Sequence, residues 1–149
     1  MPILTYDPID PADLTALVSG PATGGVASFV GLVRNHHAGR GVTELEYSAY
    51  EAMAEAVART IVDEARARWP VAVALRHRLG RLGIGDVAVA VAAGGGHRGE
   101  AFDACRYVIE EVKRRVPIWK RERYADGSEA WVDPTAPAGT VPVQERPAR

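Results

Sequence analysis

The stretch "VAVAVAA" (87–93) constrains the fold more than any other part of the chain. It is an unbroken apolar run, bounded by the glycine-rich "GRLGIGD" (80–86) before it and by Gly94-Gly95-Gly96 after it. A strand without a polar face has to be covered on both sides. It therefore belongs at the centre of a sheet, with helices or further chain packed against it.

The remaining sequence supplies those layers. Asp10 followed by Pro11 opens a short helix over 10–18. "SGPATGG" (19–25) is turn-rich, and "VASFVGLVR" (26–34) reads as a strand bent at Gly31. "NHHAGRG" (35–41) reads as a mobile loop. "VTELEYSAY" (42–50) alternates, with Leu45, Tyr47 and Ala49 on one face and Glu44, Glu46 and Ser48 on the other. A helix over 51–69 carries Met53, Val57, Ile61 and Ala65 at four-residue spacing and stops at Pro70. "VAVALRHRL" (71–79) is a strand, 80–86 a turn, and 99–115 a second long helix with a Cys105, Val108, Ile109, Val112, Val116 seam. A hairpin turning at Asp126-Gly127 follows. This order predicts an α+β fold, helices packed on a mostly antiparallel sheet, as one domain over 1–132 with a Pro/Ala-rich tail over 133–149.

Composition narrows the function classes. The chain has 149 residues, 47% of them apolar and 25% charged, with a formal charge of −1. Near-neutral charge argues against a general nucleic-acid or membrane-surface binder. One cysteine, Cys105 on the helix seam, excludes an internal disulfide framework. No apolar run reaches the roughly 18 residues of a membrane span, and the start lacks the basic and apolar regions of a signal peptide, so a cytoplasmic protein is expected.

The charge is unevenly placed. "VKRRVPIWKRER" (112–123) holds six bases and one acid. Pro117 breaks the helix near Val116, so Lys113 lies in the last helical turn and Lys120 in an extended segment beyond it. The chain can then fold Lys120 back beside Lys113. Two adjacent ammonium groups lower each other's pKa, which suits a lysine to nucleophilic or acid–base work near neutral pH. The spacing alone also fits a solvated basic helix end; Trp119, an apolar anchor between the bases, weighs against that. "GGGHRGE" (94–100) joins a buried strand to a helix start, where backbone N–H groups, His97 and Arg98 can hold an anion, or form only an exposed turn. Arg34 ends a strand beside the 35–41 loop. His36 and His37 are adjacent in a loop without a cysteine or carboxylate cluster, a poor zinc site. His77, on an apolar strand face, reads as a hydrogen-bonded core histidine, and Glu44 and Glu46 as the wet face of their strand. An anion or single-stranded nucleic-acid module using the basic patch with Trp119, Tyr124 and Trp131 is the alternative.

"FVGLVR", "LEYSAYEAMA", "HRLGRLGIGD", "HRGEAFDACRYVIEEVK" and "VPIWKRE…DG…WV" follow one another here in the order and spacing of the catalytic (large) subunit of molybdopterin synthase, and the chain resembles that family over about 24–132. The resemblance implies an α/β hammerhead with an additional antiparallel β subdomain. It implies a sulfurtransferase of molybdenum-cofactor biosynthesis that converts cyclic pyranopterin monophosphate into the dithiolene of molybdopterin. Sulfur would come from the C-terminal thiocarboxylate of a separate ubiquitin-like small subunit, within a heterotetramer built on a homodimer of large subunits. It carries the family's catalytic lysines onto Lys113 and Lys120, and substrate contacts onto Arg34, His97, Arg98, Arg121 and Glu122 as well as the lysines. No resident metal or cofactor is implied, and neither nucleic acid nor membrane is an expected partner.

Overall fold

The computed structural model describes residues 1–133. Its centre is β7 (Val87–Gly95), the apolar strand, buried along almost its whole length. β7 lies between β5 (Val71–Arg78) and β2 (Gly25–Leu32), antiparallel to both, and β1 (Leu4–Thr5) adds to β5 in parallel, giving the order β1-β5-β7-β2. The short helix α1 (Pro11–Leu17), capped by the Asp10 side chain accepting from the Ala12 N–H, covers one face through Leu14 and Val18 on Ala90 and Ala92. The long helices α2 (Glu51–Arg68) and α3 (Arg98–Arg115) cover the other, where Val73, Leu75, Val89 and Val91 meet Ile61, Ala65, Ala104 and Val108. The strand with no polar face thus gets both the layers it requires.

A second sheet carries the rest: β3 (His36–His37), β4 (Arg40–Ala49), β8 (Ile118–Tyr124) and β9 (Glu129–Val132), with β6 (Gly80–Gly83) paired to the other edge of β4. The chain passes from the first sheet to the second at Gly80, whose φ of 89° is a left-handed conformation that glycine adopts without strain. The fold is the α+β arrangement with an additional antiparallel β subdomain.

Four local expectations change. The 35–41 segment is not a mobile loop but a tight hairpin, β3 to β4, turning through Ala38 and Gly39 with φ of 51° and 77°. Residues 80–83 are a strand and not a turn: Leu82 is buried opposite Leu45, and only 84–86 reverse the chain. On α2 the buried seam is Ala54, Ala58, Ile61, Val62 and Ala65, whereas Met53 is exposed. The bend expected at Gly31 is a register shift between Gly31 and Leu32. The expected tail lies, beyond Asp133, outside the described residues.

Candidate active site

Helix α3 ends because Pro117 follows it. Val116, the residue before proline, takes the extended conformation (φ −78°, ψ 123°), and β8 starts at Ile118. β8 then runs antiparallel to β4, pairing Lys120 with Tyr47 and Glu122 with Leu45. Its side chains alternate: Lys120, Glu122 and Tyr124 share one face, Arg121 and Arg123 the other. The proline thus converts a helical run of bases into a sorted one.

The sorting is electrostatic as well as geometric. Arg114 pairs with Glu111 at 2.6 Å, and Arg115 with Glu64 at 2.7 Å and Glu111 at 3.1 Å. Arg123 pairs with Glu129 at 2.6 Å, and Arg121 with Glu46 and, at 3.4 Å, with Glu129. Four of the six bases are therefore balanced by acids outside the site. Arg121, expected among the substrate contacts, is turned away from the lysines by the strand alternation and held by two carboxylates. Glu46, expected on the wet face, is there as its partner.

Lys113 and Lys120 are left without an outer carboxylate, close enough for the Lys120 charge to act on Lys113. Lys120 is held below the ordinary lysine range by burial and by the Arg34 charge, against the opposing pull of Glu122. Lys113 is also pushed down, by the protein crowded around its amine and then by the charges of Lys120 and Arg34. The Lys113 side chain remains exposed, so solvent screens part of this effect; the two neighbouring cations give the direction its support. Arg34, exposed just beyond β2, acts on both amines. The three cations thus meet at the junction of the two sheets.

Beneath them lies a largely buried polar row of which only Glu122 was expected at the site. Glu122 is 2% exposed, with Lys120 Nζ 3.7 Å from its Oε2. His37 Nδ1 donates to Glu122 Oε1 at 2.6 Å and the Tyr124 hydroxyl donates to the same oxygen at 3.0 Å. His77 donates through Nδ1 to the Arg78 carbonyl at 2.9 Å, and its ring meets Tyr47 edge-on at 5.0 Å. Burial, reinforced by the Lys113 charge, brings the His77 pKa down to about 4, so it is neutral at physiological pH. Tyr47 is pushed up to about 12 by burial and by the Glu122 charge. His36 and His37 do not converge, since His36 bonds Asn35 while His37 bonds Glu122. The strand period offered a signal for this row: Glu122 and Tyr124 follow Lys120 at alternate positions of β8, on its face, and Tyr47 lies opposite Lys120. Nothing in the sequence signalled His37.

His97 and Arg98 are elsewhere. They start α3, whereas Lys113 is in its last turn; the fifteen-residue separation is about 22 Å of helix. His97 lines an open cleft of about 480 Å³ with Gly94, Gly95, Gly96, Thr23 and Glu100. Within one chain these two residues do not lie beside the lysines, because helix α3 holds them at its opposite end.

A partly desolvated amine pair, a guanidinium and a buried carboxylate define a class of site: one that binds anions and stabilises negative charge developing during group transfer. The comparisons give the class its family. The family model described as MoaE protein matches residues 4–115. The chain is 46% identical over 130 residues to molybdopterin synthase catalytic subunit 1 of Mycobacterium tuberculosis, covering 87% of this chain and 88% of that one. It is 44% identical over 131 residues to the molybdopterin synthase catalytic subunit of a Nostoc species, covering 87% and 79%. The crystal structure of molybdopterin synthase from Staphylococcus aureus superposes with a TM-score of 0.83 at 36% identity, covering 88% of this chain and 96% of that one. A complex of subunits 1 and 2 of the molybdopterin-converting factor of Helicobacter pylori matches with a TM-score of 0.62 at 25% identity, covering 72% and 70%.

The chain belongs to the MoaE family, the catalytic subunits of molybdopterin synthase. It is accordingly an enzyme, a sulfurtransferase of molybdenum-cofactor biosynthesis. Among the described residues, no helix is long and apolar enough to cross a membrane.

Proposed function

We propose that the Lys113–Lys120–Arg34 cluster is where sulfur passes from the thiocarboxylate terminus of a ubiquitin-like small subunit to cyclic pyranopterin monophosphate. The carrying observation is the charge sorting: of six bases around Pro117, the two lysines alone stay clear of the outer carboxylates, and Arg34 joins them. An anionic peptide end and a phosphate-bearing substrate both fit such a cluster. The thiocarboxylate sulfur forms a C–S bond to the substrate carbon as an oxygen leaves that carbon, and water then cleaves the acyl–sulfur bond and releases the small subunit's carboxylate. Lys120 stabilises the negative charge that develops in these steps, and Lys113 hands a proton to the departing oxygen. Glu122 acts from below, as the counter-ion of Lys120. The Helicobacter pylori complex, which holds both proteins of its converting factor, supports a small partner chain here. In reconstitution with thiocarboxylated small subunit and precursor, wild-type protein is expected to form dithiolene product; absence of product under those conditions contradicts the reading.

A homodimer accounts for His97 and Arg98. β2 is an edge strand of its sheet, and Phe29, Leu32 and Phe102 are exposed near it. Its Gly25 end lies against Arg98, 3.4 Å from a Cβ position to the Arg98 Cα, and its other end leads to Arg34. A second copy pairing antiparallel along β2 brings its own His97 and Arg98 beside the first copy's Arg34 and Lys113, and a two-fold axis makes two such sites. His97 and Arg98 then hold substrate in the partner's lysine site. Arg98→Ala and Lys113→Ala proteins, each defective alone, are expected to recover about a quarter of wild-type activity when equal amounts are mixed and exchanged, because half the dimers carry one intact site of two. No recovery in mixed dimers contradicts the shared site.

A further inference from the structure

We propose that His37 and Tyr124 are positioning residues for Lys120, acting through the Glu122 carboxylate that lies between them. The inference rests on the reading of Lys120 given above and extends it to two residues that do not themselves touch the substrate.

The geometry divides the carboxylate in two. Oε1 accepts from His37 Nδ1 at 2.6 Å and from the Tyr124 hydroxyl at 3.0 Å, while Oε2 faces Lys120 Nζ at 3.7 Å. Two donors on one oxygen fix the plane of the group and draw its charge away from the other oxygen. Lys120 consequently has a counter-ion near enough to orient the amine, yet beyond the 2.7–2.9 Å of a tight charged hydrogen bond. A carboxylate free to rotate closes that gap, neutralises the amine and withdraws it from an incoming thiocarboxylate.

The donors are themselves held. His37 is on the β3–β4 hairpin, and Arg40, just past its turn, stacks its guanidinium over the Tyr124 ring at 3.5 Å. Arg40 also donates to Ser128 at 2.7 Å in the β8–β9 turn. The hairpin is therefore clamped onto β8, and the clamp passes through both donors. Lys120 is faced by Glu122 on its own strand, Arg34 beyond β2 and Lys113 on α3; Glu122 is faced by His37, Tyr124, Lys120 and Tyr47 of β4. Of these groups only Glu122 raises the Lys120 pKa, so a change in how Glu122 is shared registers there.

The test is competitive acetylation of the intact protein across pH, with acetic anhydride as probe and the Lys120 peptide read by mass spectrometry. His37→Leu and Tyr124→Phe each release Oε1, and the Lys120 titration midpoint is expected to rise by roughly half a pH unit or more, further in the double variant. His37→Asn places an amide N–H where Nδ1 was, and is expected to restore the wild-type midpoint. In the reconstituted assay, kcat falls about tenfold in His37→Leu with KM for the precursor unchanged, as expected of a residue acting on a catalytic group. An unchanged Lys120 midpoint in folded Tyr124→Phe and His37→Leu proteins overturns the proposal, as does an equal shift in His37→Asn. A shifted midpoint with unchanged kcat upholds the positioning and instead contradicts the catalytic role of Lys120.

Discussion

Lys113 is held in the folded chain at the expense of stability, among the cations of the proposed site. Its folded-state pKa is lowered, whereas in the unfolded chain a lysine keeps its proton to about pH 10.4. Below the folded value both states are protonated and the cost of crowding a charge beside Lys120 and Arg34 is fully present. Between the two values the unfolded state binds more protons, so that cost fades as pH rises. Lys113→Met is therefore expected to raise the thermal midpoint at pH 7 while abolishing turnover, and to lose that advantage as the pH approaches about 10; equal midpoints at pH 7 contradict the account. The pairing of Lys113 with Lys120 was legible in the sequence, because Pro117 fixes where the helix must stop. What was not legible was the fate of Arg121. Its charge is the same as that of Lys120, and only the alternation of a strand, with Glu46 and Glu129 waiting on the far side, separates their roles.

At the scale of elements, glycines carried opposite meanings that composition does not distinguish. Gly94 has no room for a side chain: an added Cβ meets the Val18 carbonyl oxygen at 2.1 Å, where α1 closes on β7. Gly96, two residues on, has nothing within 4 Å of that position. Gly94→Ala is expected to cost about 1–3 kcal/mol, towards the upper end because the obstacle is backbone, and Gly96→Ala to be neutral or stabilising by up to about 1 kcal/mol. Urea denaturation of the two variants checks the contrast. The same ambiguity explains the misread elements. "GRLGIGD" looks like a turn throughout, but one buried leucine opposite Leu45 makes its first half a strand. "NHHAGRG" looks mobile until β4 is known to extend back to Arg40. The apolar strand and the two long helices were plain because their periodicities run over many residues; β3 is only two residues long, and β6 depends on β4, a partner distant in sequence.

For the whole molecule, the long helix α3 does two things at once. It covers the central sheet, and it holds His97 and Arg98 about 22 Å from Lys113. The resemblance assigned these residues to one substrate. In three dimensions a single chain has two cationic ends, and a two-fold pairing along β2 would make them adjacent. Such a pairing would concentrate positive charge where the proposed reaction brings an anionic peptide end and a phosphate together, while the remaining acids keep the chain near neutrality overall. The lysine cluster is the part on which all else depends. Its most direct test is single-turnover dithiolene formation with saturating thiocarboxylated small subunit, comparing wild type with Lys120→Ala. A loss on the order of 10²-fold or more, with small-subunit binding intact, is expected for removal of one positioned charge-stabilising group; a Lys120→Ala protein that forms product at the wild-type rate contradicts the account.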